Sequence, residues 1–169
     1  MKSLLTIIIL VSFSTVYSQN NCLAIIDLKY PGPVDIYDNP GGEIIYRMKN
    51  DSINEDFLQL SILDQTNNYF YVSISATIRK DQVTGWIRKA AYIGAYKRHE
   101  KFPMDLILYK DKKVSDAEKM VISNWTPMLL TIDSCDGGWV FVLLKQNGEI
   151  FRGWIEENEL CANSYTYCN

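Results

Sequence analysis

The second half of this chain rewrites its first half, and no other feature constrains the fold as tightly. Residues 60–74 (LSILDQTNNYFYVSI) align without a gap on residues 130–144 (LTIDSCDGGWVFVLL). Leu60 falls on Leu130, Ile62 on Ile132, Tyr69 on Trp139, Tyr71 on Phe141 and Val72 on Val142. Gly85-Trp86-Ile87 recurs as Gly153-Trp154-Ile155, and Val34-Asp35-Ile36-Tyr37 recurs as Leu106-Ile107-Leu108-Tyr109. The spacing stays at about 70 residues, with a small drift from loop length. A repeated unit of that size, rich in alternating apolar residues, predicts two small β domains in tandem.

Residues 1–18 read as a cleaved secretory signal. Lys2 gives a positive start, residues 4–11 are apolar, and small or polar residues lead to a cut after Ser18. That run falls short of the ~20 residues needed to span a bilayer, and no later stretch reaches it, so no membrane insertion is expected. The remaining chain is expected in the periplasm or outside the cell. The formal net charge of −3 becomes one unit more negative without Lys2, which speaks against nucleic acid as a partner. All four cysteines (Cys22, Cys135, Cys161 and Cys168) follow the signal, and an even number in an exported chain favours pairing. Sequence cannot choose among the connectivities. The short spacing of Cys161 and Cys168 suits a local bridge, which would leave Cys22 with Cys135.

Residues 23–28 (LAIIDL) form a β-prone run ended by Pro31-Gly32-Pro33. Strands are predicted at residues 34–37 and 43–48, on either side of the Asp38-Asn39-Pro40-Gly41-Gly42 loop. Leu58, Leu60 and Ile62 alternate with polar residues, and another strand follows the Thr66-Asn67-Asn68 turn. Asp136-Gly137-Gly138 and Asn147-Gly148 mark hairpins, because the tightest turns need positive φ at their central residues. Ser115-Asp116-Ala117-Glu118 has a capping-box pattern, read either as a helical turn toward Val121 or as an excursion in a loop. Residues 94–103 (GAYKRHEKFP) are polar and basic and read as a solvated linker, with contact to an anion as the alternative.

Each copy resembles a bacterial SH3-like domain. That family has a strand ending before a Pro/Gly loop, a middle strand, a Gly/Asn turn and a closing Gly-Trp-[Val/Ile] strand. The first copy carries Ile36-Tyr37-Asp38-Asn39-Pro40-Gly41-Gly42, residues 60–62, Asn67-Asn68-Tyr69 and Gly85-Trp86-Ile87. The second carries Leu108-Tyr109, residues 130–132, Asp136-Gly137-Gly138-Trp139 and Gly153-Trp154-Ile155. The Arg-Ser-Gly-Pro signature that often follows the first strand in the family is missing from both. The resemblance implies an all-β chain of two tandem SH3-like barrels, at residues 19–94 and 104–169, with a linker at 95–103. It further implies an exported, non-enzymatic binder of the cell envelope that recognises peptidoglycan or another wall component. A grip on an exported protein partner, as scaffold or inhibitor, is the alternative. Asp51-Ser52-Ile53 resembles the short O-glycosylation acceptor of some exported Bacteroidetes proteins.

Ligand contacts are expected from Tyr37, Tyr69, Tyr71 and Trp86 in the first copy and from Tyr109, Trp139 and Trp154 in the second. Tyr69 and Tyr71 share one face of a strand while Phe70 takes the other. An outward aromatic row can stack on sugar rings or grip a peptide. Trp86 and Trp154 also read as covers for a small core, each preceded by a Gly that admits a neighbouring backbone. A wall binder should show equivalent aromatic grooves on both copies, whereas a protein partner should use one apolar patch across the junction. No catalytic motif is present. The only histidine, His99, lies in the linker segment, and no metalloprotease, phosphate-loop, dinucleotide or nucleophile-elbow pattern occurs. No His or Cys cluster has metal-ligand spacing, so no metal or cofactor is expected. Cys135 reads as half of a disulfide rather than as a nucleophile.

Overall fold

A computed structural model describes residues 22–98, 105–114 and 118–165. The expected signal, Ser115-Asp116-Ala117, residues 99–104 and Cys168 lie outside the described residues. In chain order the strands are β1 (Cys22–Ile26), β2 (Val34–Tyr37), β3 (Ile44–Met48), β4 (Leu58–Gln65), β5 (Tyr69–Ala76), β6 (Gln82–Arg88) and β7 (Ile93–Lys97). They continue as β8 (Leu106–Tyr109), β9 (Lys119–Ile122), β10 (Leu130–Asp136), β11 (Trp139–Gln146), β12 (Glu149–Glu156) and β13 (Leu160–Cys161). A 3₁₀ turn at Glu157–Glu159 precedes β13. The chain is all-β, as the alternation predicts.

Period-2 patterning sets which side of each strand is buried. Leu58, Leu60 and Ile62 of β4 and Phe70, Val72, Ile74 and Ala76 of β5 all point into the core, at 2% exposure or less. Leu130 and Ile132 of β10 and Val140, Val142 and Leu144 of β11 point into the core of the second copy, at 4% exposure or less. The β11–β12 hairpin turns on Asn147 and Gly148, both at positive φ (53° and 86°), as the Asn-Gly pair predicts.

The strands form one antiparallel sheet in the order β3-β2-β6-β5-β4-β1-β7-β10-β11-β12-β8-β9, with β13 beside β7. That order is open from β3 to β9 and is a repeat read from both ends. Each half runs hairpin, then third, second and first strand of a meander. Register repeats as well as order: Ile62 pairs with Val72 and Asp64 with Tyr71, as Ile132 pairs with Val142 and Ser134 with Phe141. The bulge between the members of each set recurs at the same place.

β7 belongs to both copies. Ile93 and Gly94 pair with Ile26 and Ile25 of β1, and Lys97 and Tyr96 pair with Leu160 and Cys161 of β13 in the corresponding way. Ala24 and Leu23 of β1 meet Leu60 and Ser61, as Ala95 and Gly94 of β7 meet Leu130 and Thr131. One strand therefore closes the first unit and opens the second. Of the linker expected at 95–103, residues 95–97 are ladder-paired in β7, and residues 99–103 lie outside the described residues. The strand was hidden because two of its three buried positions, Gly94 and Ala95, are small. Gly94 has no side chain because the Leu130 carbonyl oxygen would lie 2.3 Å from its Cβ, and Ala95 offers little apolar signal.

Side chains fasten the junction. Cys22 of β1 is bonded to Cys135 of β10, the pairing left by a local bridge at the C-terminus. Cys161 is also disulfide-bonded. Gln65 donates from Nε2 to the Cys135 carbonyl (2.8 Å) and accepts from the Cys135 N–H (3.2 Å). The basic stretch makes anionic and carbonyl contacts here. Lys97 pairs with Glu159, and Arg98 donates from Nε to the Leu160 carbonyl at 2.9 Å. Of the Ser115-Asp116-Ala117-Glu118 segment only Glu118 is described, in a 3₁₀ turn, and strand β9 begins directly after it at Lys119.

Candidate functional site

The pleat that buries Phe70 and Ile87 turns Tyr69, Tyr71 and Trp86 to the opposite face, where all three are half-buried. Register brings them together. Tyr71 lies opposite Trp86 on β6, and Trp86 lies opposite Tyr37 on β2. The Tyr71 and Trp86 rings are 5.2 Å apart and tilted at 44°, while Tyr37 meets Tyr69 edge-on at 5.9 Å. The four expected residues of the first copy thus form one aromatic surface.

The second copy rebuilds it. Phe141 lies opposite Trp154, and Trp154 lies opposite Tyr109. Phe141 and Trp154 are 5.2 Å apart, and Tyr109 meets Trp139 edge-on at 5.7 Å. Tyr109, Trp139 and Trp154 therefore stand where the sequence puts them, with Phe141 as a fourth member. Its alignment on Tyr71 is the signal that identifies it.

A glycine positions each surface. A Cβ on Gly85 would lie 3.0 Å from the Tyr37 carbonyl oxygen, and one on Gly153 would lie 3.0 Å from that of Tyr109. The Gly before each Trp lets the aromatic-bearing hairpin close onto the meander. Trp86 and Trp154 are half-buried on the outer face, while Ile87 and Ile155 beside them enter the core.

The surroundings of the two surfaces differ. In the first, the β2–β3 loop is wound tightly on Asp38, whose Oδ1 accepts from the N–H groups of Asn39 (2.7 Å) and Glu43 (3.0 Å). In the second, the β8–β9 loop sends Lys112 over Trp154, 5.5 Å from the ring centroid, and Lys112 pairs with Asp136. Asp136 is marked in sequence only as a hairpin residue and Lys112 not at all, because only the folded loop shows which ring the lysine reaches.

A separate cleft of about 560 Å³ lies near the junction, lined by Leu23, Arg98, Trp139, Glu157, Leu160 and others. Trp139 is its one link to the aromatic surfaces. The most perturbed tyrosine, Tyr92, is outside both surfaces. Burial, then the Tyr30 ring stacked at 3.8 Å, push its hydroxyl up to about 12. Among the described residues no helix is long and apolar enough to cross a membrane.

Both surfaces are clusters of half-buried rings set at tilted and edge-on angles, suited to stacking and to holding a cation, a sugar face or an extended peptide. Comparison of the chain with protein-family models, with curated proteins and with solved structures finds no match.

Proposed function

We propose that this is an exported, non-enzymatic binding protein built of two SH3-like units, whose aromatic surfaces hold a component of the cell envelope, peptidoglycan before others. The observation that carries the reading is the repetition of one four-ring surface on both copies, residue for residue in the same register. Buried aromatics would serve packing alone, but these lie on the face away from the core. Two weak sites on one chain gain avidity on a polymer that repeats its epitope, by about 10²–10⁴ over a single site.

The competing reading is a protein partner. Exposed Ile44, Ile45 and Tyr46 on β3 and Met120 and Val121 on β9 favour it. These residues sit on the two end strands of the sheet, away from the junction strands β1, β7 and β10, where a single patch was expected.

Co-sedimentation of the disulfide-intact protein with purified peptidoglycan sacculi tests the proposal. Saturable binding is expected, weakened at least tenfold by Tyr37→Ala with Tyr69→Ala and by Tyr109→Ala with Trp139→Ala, in variants whose circular dichroism matches the parent. Absence of binding at low and at physiological salt would overturn it and turn the search to a protein partner.

A further inference from the structure

Lys112 and Asp136 make the second aromatic surface chemically different from the first. The Lys112 ammonium lies over Trp154, which packs on Phe141, and its charge is met by the Asp136 carboxylate. An aromatic face with a carboxylate at its rim is the arrangement that holds an ammonium ion. We infer that the second surface is a binding site for an alkylammonium group, and that Lys112 occupies it while no ligand is bound. The inference rests on the proposed function and deepens it by naming the chemical class one surface takes.

Comparison between the copies supports it. Asp136 aligns on Thr66, and the loop between Tyr37 and Ile44 holds no lysine. A lysine in that loop and a carboxylate at that hairpin position are thus present in the second copy and missing from the first, where the Asp38 carboxylate is taken up by the N–H groups of its own loop. The two groups also differ in freedom. Asp136 ends β10 in a hairpin that turns on Gly137 and Gly138, both at positive φ (60° and 80°), and it pairs with Trp139 across that turn. Lys112 is the movable partner, on a four-carbon stem in an exposed loop.

The resident is held weakly. Its side chain is 41% exposed and that of Asp136 is 53% exposed, so water screens the pair. An incoming ammonium on an aliphatic stem, such as the side chain of a diamino acid in a peptide, reproduces every contact Lys112 makes. Competition from Lys112 lowers its apparent affinity by about tenfold. The first surface has Thr66 in place of that carboxylate, and its Asp38 is held by loop N–H groups, so it takes a neutral stacking group instead.

The probe is Nα-acetyl-lysine methylamide, with Nα-acetyl-norleucine methylamide as its neutral counterpart. Each is titrated into the disulfide-intact protein while the indole N–H resonance of Trp154 is followed. Lys112→Met should bind the lysine probe about tenfold more tightly than the parent. Lys112→Met with Asp136→Asn should lose that gain, and the norleucine probe should shift Trp154 in none of them. Failure of Lys112→Met to bind better than the parent, or equal binding of both probes, would overturn the ammonium site. The same proteins are run with sacculi. Sacculus binding without lysine-probe binding would overturn this inference and leave the wall reading standing. Lysine-probe binding without sacculus binding would support the ammonium site and overturn peptidoglycan as its source.

Discussion

Replacing Gly94 with Ala tests the shared strand directly. A Cβ at that position would lie 2.3 Å from the Leu130 carbonyl oxygen and 2.8 Å from Leu129 Cγ. A carbon and a carbonyl oxygen in contact rest at about 3.3–3.6 Å, so β10 must retreat from β7 by roughly 1 Å. Ladder hydrogen bonds of about 2.9 Å do not survive that displacement. The pairs at risk are Gly94 with Thr131 and Ala95 with Leu130. One or two lost bonds cost about 1 kcal/mol each, and the crowding adds about 1–3 kcal/mol. Stiffening of the unfolded chain offsets about 0.4–1 kcal/mol. The middle of these ranges puts the net loss at about 3 kcal/mol, within about 2–4 kcal/mol. Gly148→Ala is the control, with φ at +86° but nothing within 4 Å of its Cβ, and its cost is about 1–2 kcal/mol. Urea unfolding followed by Trp fluorescence reads both. With a slope of roughly 2 kcal/mol per molar urea, the Gly94→Ala midpoint should fall by about 1–2 M, and that of Gly148→Ala by less than about 1 M. If Gly94→Ala unfolds no earlier than the control, β10 does not pack on Gly94 and the shared-strand account is wrong.

Cys22 and Cys135 are 113 residues apart, a loop for which chain entropy predicts about 5 kcal/mol. Removing both as Cys22→Ser with Cys135→Ser should therefore cost about 3–5 kcal/mol by urea unfolding, and a loss under about 1 kcal/mol would refute the argument. Asp56 is 1% exposed and accepts from the Ile78 N–H (2.7 Å) and Arg79 Nε (2.6 Å). Burial works to raise its pKa, but the hydrogen bonds from Ile78 and Arg79 outweigh it and hold the carboxyl below the ordinary carboxylate range. Its contribution is therefore present above the unfolded value, near pH 4, and is lost as pH falls through the folded one. Asp56→Asn should cost about 2–3 kcal/mol at pH 7, with the gap to the parent narrowing toward pH 2. Parallel urea midpoints across that range would contradict it.

The large strands were legible because period-2 alternation of bulky residues is a physical demand of a half-buried sheet. Leu58, Leu60 and Ile62 announce β4, and Tyr69, Phe70 and Tyr71 announce which ring goes inward. Gly85-Trp86 and Gly153-Trp154 announce both the aromatic surface and the close approach behind it. What stayed hidden is carried by residues that say little alone. β7 is a strand because two neighbours approach Gly94 and Ala95, a tertiary reason invisible in a local window. β13 is two residues long, and the nearby Lys97 and Arg98 look like a solvated charge run until Glu159 and the Leu160 carbonyl are placed beside them. The seven expected contact residues gather on two surfaces because the repeat fixed their register. Lys112 over Trp154 depends on a loop path that no periodicity encodes.

A strand held in common replaces a tether. Domains strung on a flexible tether can tilt to suit uneven targets, but here the two aromatic surfaces are carried by one continuous hydrogen-bonded sheet. On the proposed function the protein behaves as a ruler: it rewards polymers whose epitopes recur at its own spacing and gains nothing from the same chemistry scattered at random. Sparse or irregular material would be met by one surface at a time, so discrimination would come from the target's order as much as from its composition.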